Sequence, residues 1–242
     1  MGHYTSLSDF RASLGSTHKA DPSFRYRILS GGRAVIPVYG ILSRRPNALL
    51  NTLEDNTSID DVRSMFELAM RAPGVQRILL DIDSPGGSID GVDGLSSLIF
   101  KSRGKKSIIA YASGEMLGAA YWIGSAADKV YATIATRAGS IGICNVVNDY
   151  TVANHLQGVK TEFVKAGRYK AAGHPDKPFT EEDRGVVQDE VDAFYGIFLD
   201  AIKRNRNLSD KEVEAVGEGQ VFIGSQALKV RLIDGIGEAD SV

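Results

Sequence analysis

The chain predicts an α/β fold built on a largely parallel sheet, and two observations carry that prediction. Short apolar runs of the kind buried on both faces of a sheet recur at Arg33–Leu42, Val75–Ile82, Ser107–Ala112 and Lys129–Thr133. Helix-forming segments lie between them, so the order is strand, helix, strand, helix, strand, helix, strand. Alternation of this kind calls for parallel strands joined by crossover helices.

The elements follow in chain order. Residues 1–32 are polar, weakly patterned and closed by Gly31-Gly32; they read as an N-terminal arm, with a single domain over 33–242. Pro37 cannot donate to a ladder, so the first strand should be an edge or carry a bulge there. Asn47–Thr57 reads as a polar loop. Ser58 and Asp61 form a helix-capping pair, and Val62, Met65, Phe66, Ala69 and Met70 then share one helical face until Pro73-Gly74 stops it. A second helix carries Val92, Leu95 and Ile99, and a third, rich in small residues, runs from Met116 to Ala127. Val159–Val164 looks strand-like. Thr180 opens a long helix whose Val187, Val191, Phe194, Tyr195, Phe198 and Ile202 form an apolar stripe suited to a core or a subunit interface. Ser209 with Glu212 is a further capping box.

Composition narrows the function. With 242 residues, 43% apolar and 24% charged, the chain has the make-up of a soluble globular protein with a substantial core. A net charge of −2 and a pI near 6.1 give no nucleic-acid footprint. The single cysteine, Cys144, excludes an internal disulfide and a multi-cysteine zinc site; its apolar run Ile141-Gly142-Ile143-Cys144 predicts a buried, inert thiol. His3, His18, His155 and His174 lack metal-ligand spacing, and no cofactor is expected. Met1–Lys19 holds no continuous apolar stretch, so neither a signal peptide nor a membrane anchor is expected and a cytoplasmic location is.

Three segments bear on chemistry. In Asp83-Ser84-Pro85-Gly86-Gly87-Ser88, paired glycines after a strand allow a sharp turn and bring bare N–H groups to a ligand, where they can hold an oxyanion. The same residues would also serve as a plain strand-to-helix turn, and without a following Gly-Lys-Ser/Thr they are not a P-loop. Gly118-Ala119-Ala120 permits close helix–sheet packing, while Ser113 and Ser125 read as turn or helix-surface serines. Lys170 sits in the loop-like Ala166-Gly167-Arg168-Tyr169-Lys170. A lysine acts as general base only when burial lowers its pKa, and the neighbours Ala171, Ala172 and Gly173 are compatible with burial. His174 reads as a loop-surface residue or a neighbour of the same site. Gly139-Ser140-Ile141-Gly142 reads as a small-residue turn entering a strand, with Ser140 structural or substrate-lining.

Four segments in order, Leu80–Gly87, Tyr121-Trp122-Ile123 with Ala126-Ala127-Asp128-Lys129, Gly139–Gly142 and Ala166–Lys170, resemble the signal peptide peptidase family of serine–lysine peptidases. The likeness extends from about Arg33 to Glu238. It implies a Clp-protease/crotonase-like fold, an oxyanion hole at the Gly87 N–H, a general base at Lys170 and a nucleophile at position 118. A serine is expected there and Gly118 stands instead, so the chain as written should form no acyl-enzyme; an engineered inactive variant and a natural pseudo-peptidase both fit. The short form without an anchor is similar to the head-maturation (capsid assembly) proteases of phages and prophages. That implies a polypeptide substrate such as a scaffold or capsid protein, and a ring-shaped homo-oligomer whose serine and lysine, in some relatives, come from adjacent subunits. A cytoplasmic signal-peptide-peptidase-like protease and a non-catalytic peptide-binding or assembly protein are the alternatives. An acyl-CoA enzyme of crotonase type is disfavoured, because a backbone oxyanion hole alone does not identify CoA chemistry.

Overall fold

The computed structural model describes residues 26–29, 31–45 and 56–238. Most of the N-terminal arm, residues 47–55 of the polar loop, His3 and His18 lie outside them. The chain divides into two compact units, one of residues 1–141 and 198–242, the other of residues 142–197.

The first unit holds a nine-stranded, largely parallel sheet. Its spine runs β1 (Arg27–Leu29), β2 (Arg33–Ser43), β4 (Arg77–Gly87), β5 (Ser107–Leu117), β6 (Lys129–Ala132) and β9 (Gly235–Ile236). β3 (Asn56–Ser58) lies parallel to β2, and β7 (Arg137–Gly139) lies parallel to the last residues of β5. Only β1 on β2 and β8 (Val221–Ile223) on β7 pair antiparallel. The α/β expectation is met. Two segments read as irregular are strands: Arg27–Leu29 at the end of the arm and Asn56–Ser58 at the end of the loop.

Pro37 fits its strand for a local reason. Among the described residues β1 reaches only Val35 and β3 begins only at Ile41, so Pro37 pairs with β4 alone, and the register shifts between Tyr39 and Ile41. Ile78 to Ile82 of β4 are all buried, as a strand covered on both faces requires.

The helices follow the capping chemistry. Ser58 caps α1 (Ile59–Arg71) by accepting the Asp61 N–H at 3.2 Å, and Ile59, Val62, Met65, Phe66 and Ala69 are buried along one face. α2 (Val92–Ser102) buries Val92, Leu95 and Ile99. The third helix is shorter than its sequence suggests: β5 continues through Leu117, and α3 spans only Ala119–Ser125. The strand passes Ser113 and Gly114 because the Asp83 carboxylate takes the Glu115 N–H at 3.0 Å and lies where a Gly114 side chain would stand.

α3 is held at its far end by buried polar groups. Asn205 donates to the hydroxyls of Ser96 and Ser125 at 3.1 and 3.0 Å, and Arg103 donates to the carbonyls of Ser125, Ala126 and Asn205. Ser125 is therefore fully buried, contrary to its reading as a helix-surface serine. Trp122 stacks on Phe198 with ring centres 4.4 Å apart. α6 (Asp210–Gly217) begins with the Ser209–Glu212 capping box, and α7 (Gly224–Lys229) follows β8.

The second unit contains α4 (Thr151–Leu156), a run of turns around residues 166–173, and the part of α5 (Glu181–Arg206) that ends at Ile197. Asp149 accepts from Thr151 and from the Phe179 N–H, Asn154 donates to Asp176 at 2.7 Å, and Lys177 pairs with Asp183. Val159–Val164 is not a strand; it pairs with nothing in the sheet, and Val164 is fully exposed. Cys144 is exposed rather than buried, since its run lies in a unit with little core of its own. Val187, Val191 and Tyr195 of the apolar stripe are half-buried and Phe194 is exposed.

Candidate active site

Position 118 is a sharp strand-to-helix turn. β5 ends at Leu117, α3 begins at Ala119, and Gly118 between them has φ 51° and ψ −120°. A side chain at such angles is strained, and strained turns of this kind present catalytic nucleophiles in other α/β hydrolases. The turn is fixed from both sides. Gly118 donates its N–H to the Gly139 carbonyl at 2.9 Å, and its own carbonyl accepts the Trp122 N–H at 3.0 Å. A Cβ built here would meet, within 4 Å, only the carbonyl oxygens of Ser140 at 3.7 Å and Pro85 at 3.9 Å. The backbone thus has the shape of a nucleophile turn, with room for the missing side chain.

Gly86 and Gly87 are the last residues of β4, not a turn as their sequence suggests. Ser84 is buried and locks this end of the strand, donating to the Gly40 carbonyl at 2.6 Å and accepting the Gly86 N–H at 3.1 Å. Gly87 has φ 151°, and a Cβ on it would lie 2.1 Å from the Leu42 carbonyl oxygen. The neighbouring Ser88 N–H donates to that same carbonyl at 2.8 Å. Because successive N–H groups of a strand point to opposite edges, the Gly87 N–H is turned towards the β5 side, where Gly118 stands.

The β7–β8 ribbon completes this end of the sheet and is missed by sequence reasoning. β7 ends at Gly139, where a turn entering a strand is expected, and Ser140 follows with φ 52°. Its N–H donates to the Gln220 carbonyl at 2.7 Å, which ties the ribbon back. Glu115 and Arg137 form an ion pair across β5 and β7. The only available sequence signal was the Gly-Ser-Ile-Gly cluster, which marks irregular backbone without saying on which side the strand lies.

Lys170 belongs to the second unit. It closes a turn, donating its N–H to the Gly167 carbonyl at 3.3 Å, and its side chain is exposed; Ala171 beside it is buried. The small neighbours therefore do not bury the lysine. His174, also exposed, packs edge-on to Phe163 at 4.9 Å. The first unit brings Gly86, Gly87 and Gly118 together, and Lys170 sits on the second. Among the described residues no three His, Cys, Asp or Glu side chains gather as a metal site, and no helix is long and apolar enough to cross a membrane.

Residues 100–242, more than half of the chain, match Peptidase family S49. The chain belongs to that family. It is 30% identical over 209 residues to capsid assembly protease C of Escherichia phage lambda, covering 86% of this chain and 47% of that protein. It is 29% identical over 164 residues to the putative protease MJ0651 of Methanocaldococcus jannaschii, covering 67% of this chain and 52% of that one. The chain thus spans about half the length of these curated family S49 relatives. Among solved structures, the 1510-N membrane-bound stomatin-specific protease, S97A mutant, superposes with a TM-score of 0.51 at 13% identity, covering 86% of this chain and 80% of that one. That likeness bears on the fold, which is of the Clp-protease type.

Proposed function

We propose that the chain is the scaffold of a serine endopeptidase working by a serine–lysine dyad, with position 118 as the nucleophile's place. The observation that carries this reading is the strained turn at Gly118, with open space at its Cβ and the Gly87 N–H turned towards it. A serine there would attack the scissile carbonyl, and the Gly87 N–H would hold the developing oxyanion. Lys170 is the general base in this reading. Glycine has no side-chain oxygen, so the chain as written forms no acyl-enzyme.

The exposure of Lys170 bears on assembly. A lysine serves as base only when desolvated, and the unit that carries it displays Val146, Val152, Leu156 and Val164, each at least 72% exposed. A second copy of the chain covering this surface would bury both, so the active form is a ring-shaped homo-oligomer. The substrate is a polypeptide. Similarity to a phage capsid assembly protease favours a scaffold or capsid protein. Gly118 itself favours a second reading, a non-catalytic peptide-binding or assembly protein that keeps the groove.

Labelling with a serine-directed fluorophosphonate tests the assignment. The Gly118→Ser protein should take up one label, mapped to position 118, while the parent takes none. A label elsewhere, or no label on a folded serine variant, would remove position 118 from the mechanism.

A further inference from the structure

We infer that the chain as it stands hydrolyses activated acyl esters, using a water molecule seated in the space beside Gly118. The inference rests on the oxyanion role proposed for Gly87, and it assigns an activity to glycine at 118 rather than to serine.

The space is polar and oriented. Two carbonyl oxygens, of Ser140 and Pro85, stand 3.7 and 3.9 Å from the Cβ position of residue 118, and Gly118 is only half-buried. Both groups are pure acceptors. A water between them donates both hydrogens, one to each carbonyl, and its lone pairs are left facing away from both. Polar sites with two or more such partners hold ordered water. A lone pair so directed meets an acyl carbon whose oxygen lies on the Gly87 N–H.

The chemistry balances without Lys170. The water oxygen forms a bond to the acyl carbon while the carbonyl π pair moves to oxygen, and the Gly87 N–H receives that oxyanion. Collapse breaks the bond to the leaving group, which departs with its electron pair. With p-nitrophenyl acetate the products are acetate, p-nitrophenolate and two protons released to solvent. A nitrophenolate needs no proton to leave, whereas an amide nitrogen does, so esters are cleaved and peptides are not. Sites of this type that lose their nucleophile keep up to about 10³–10⁴-fold acceleration over water from the oxyanion hole and binding alone.

Release of p-nitrophenolate from p-nitrophenyl acetate tests this in the parent chain, the Gly118→Ala variant and the Cys144→Ser variant. The parent should show saturable release above buffer, unchanged by Cys144→Ser and lowered about tenfold or more by Gly118→Ala, whose methyl group fills the water's place. Equal rates in parent and Gly118→Ala, or loss of release in Cys144→Ser, would overturn the inference. If Gly118→Ala does not fold, hydroxylamine replaces it as the probe. In the parent its acceleration should saturate, as for a nucleophile entering a site, and strict proportionality matching buffer would overturn the inference. A parent inert to the ester beside a peptidase-active Gly118→Ser protein sinks this inference alone. An ester-active parent beside an inert serine variant sinks the dyad reading alone.

Discussion

The Cβ that Gly86 lacks would stand 3.6 Å from the Cα of Gly118, and only 2.8 Å from the Leu117 carbonyl oxygen. The end of β4 and the turn after β5 therefore touch backbone to backbone. The two glycines answer different demands. Gly86, with φ 98°, has no space for a side chain; Gly118, with φ 51°, has the space and lacks only an unstrained conformation. The site tolerates a side chain at 118 and refuses one at 86.

Replacing Gly118 by serine should accordingly cost stability through strain alone, about 1–3 kcal/mol. Urea unfolding of the two proteins measures it. A folded serine variant with a midpoint slightly below the parent is expected, and an unchanged or raised midpoint would show that the turn is not strained.

Gly87→Ala should be far more damaging. Its methyl group would lie 2.1 Å from the Leu42 carbonyl oxygen and 2.7 Å from the Leu42 nitrogen, backbone atoms of β2 that cannot swing aside. A loss above about 4 kcal/mol is expected, enough to bring most of the chain down insoluble. Soluble Gly87→Ala protein with a near-parental midpoint would contradict this close approach.

A pH dependence follows from the cap of α6. The Glu212 carboxylate accepts the N–H of Ser209 at 2.8 Å and its hydroxyl at 2.7 Å, and pairs with Arg231 at 2.7 Å. These partners, the Ser209 N–H first, hold its pKa down to about 2. A depressed carboxylate stabilises the fold above its unfolded value and loses that contribution as the pH falls towards about 2. The gap in unfolding midpoint between parent and Glu212→Gln should be widest near neutrality and close on acidification. A gap that widens with acid would reverse the sign.

Much of this is legible in the residues. Ser58 and Ser209 announce their helices because capping is local chemistry, complete within four residues. The alternation of apolar strand and helix gives the parallel sheet for the same reason. What fails is decided by distant groups. Ser113-Gly114 looks like a turn, yet the strand runs on because Asp83 of β4 fills the place of the missing side chain. Ser125 looks like a surface residue, yet Asn205 and Arg103 reach it from far along the chain. Cys144 and Val164 are apolar in sequence and exposed in the structure, since a short apolar run without periodicity does not say what covers it. At the site, the glycine at 118 is legible, but its strained angles are not.

Degradation of an unfolded protein substrate by the Gly118→Ser chain is the most direct measurement of the central claim. Serine at 118 should raise peptidase activity by about 10³-fold or more over the parent, and Lys170→Ala in the same background should abolish it. A folded, assembled Gly118→Ser protein that leaves the substrate intact, or one whose activity survives Lys170→Ala, would contradict the dyad.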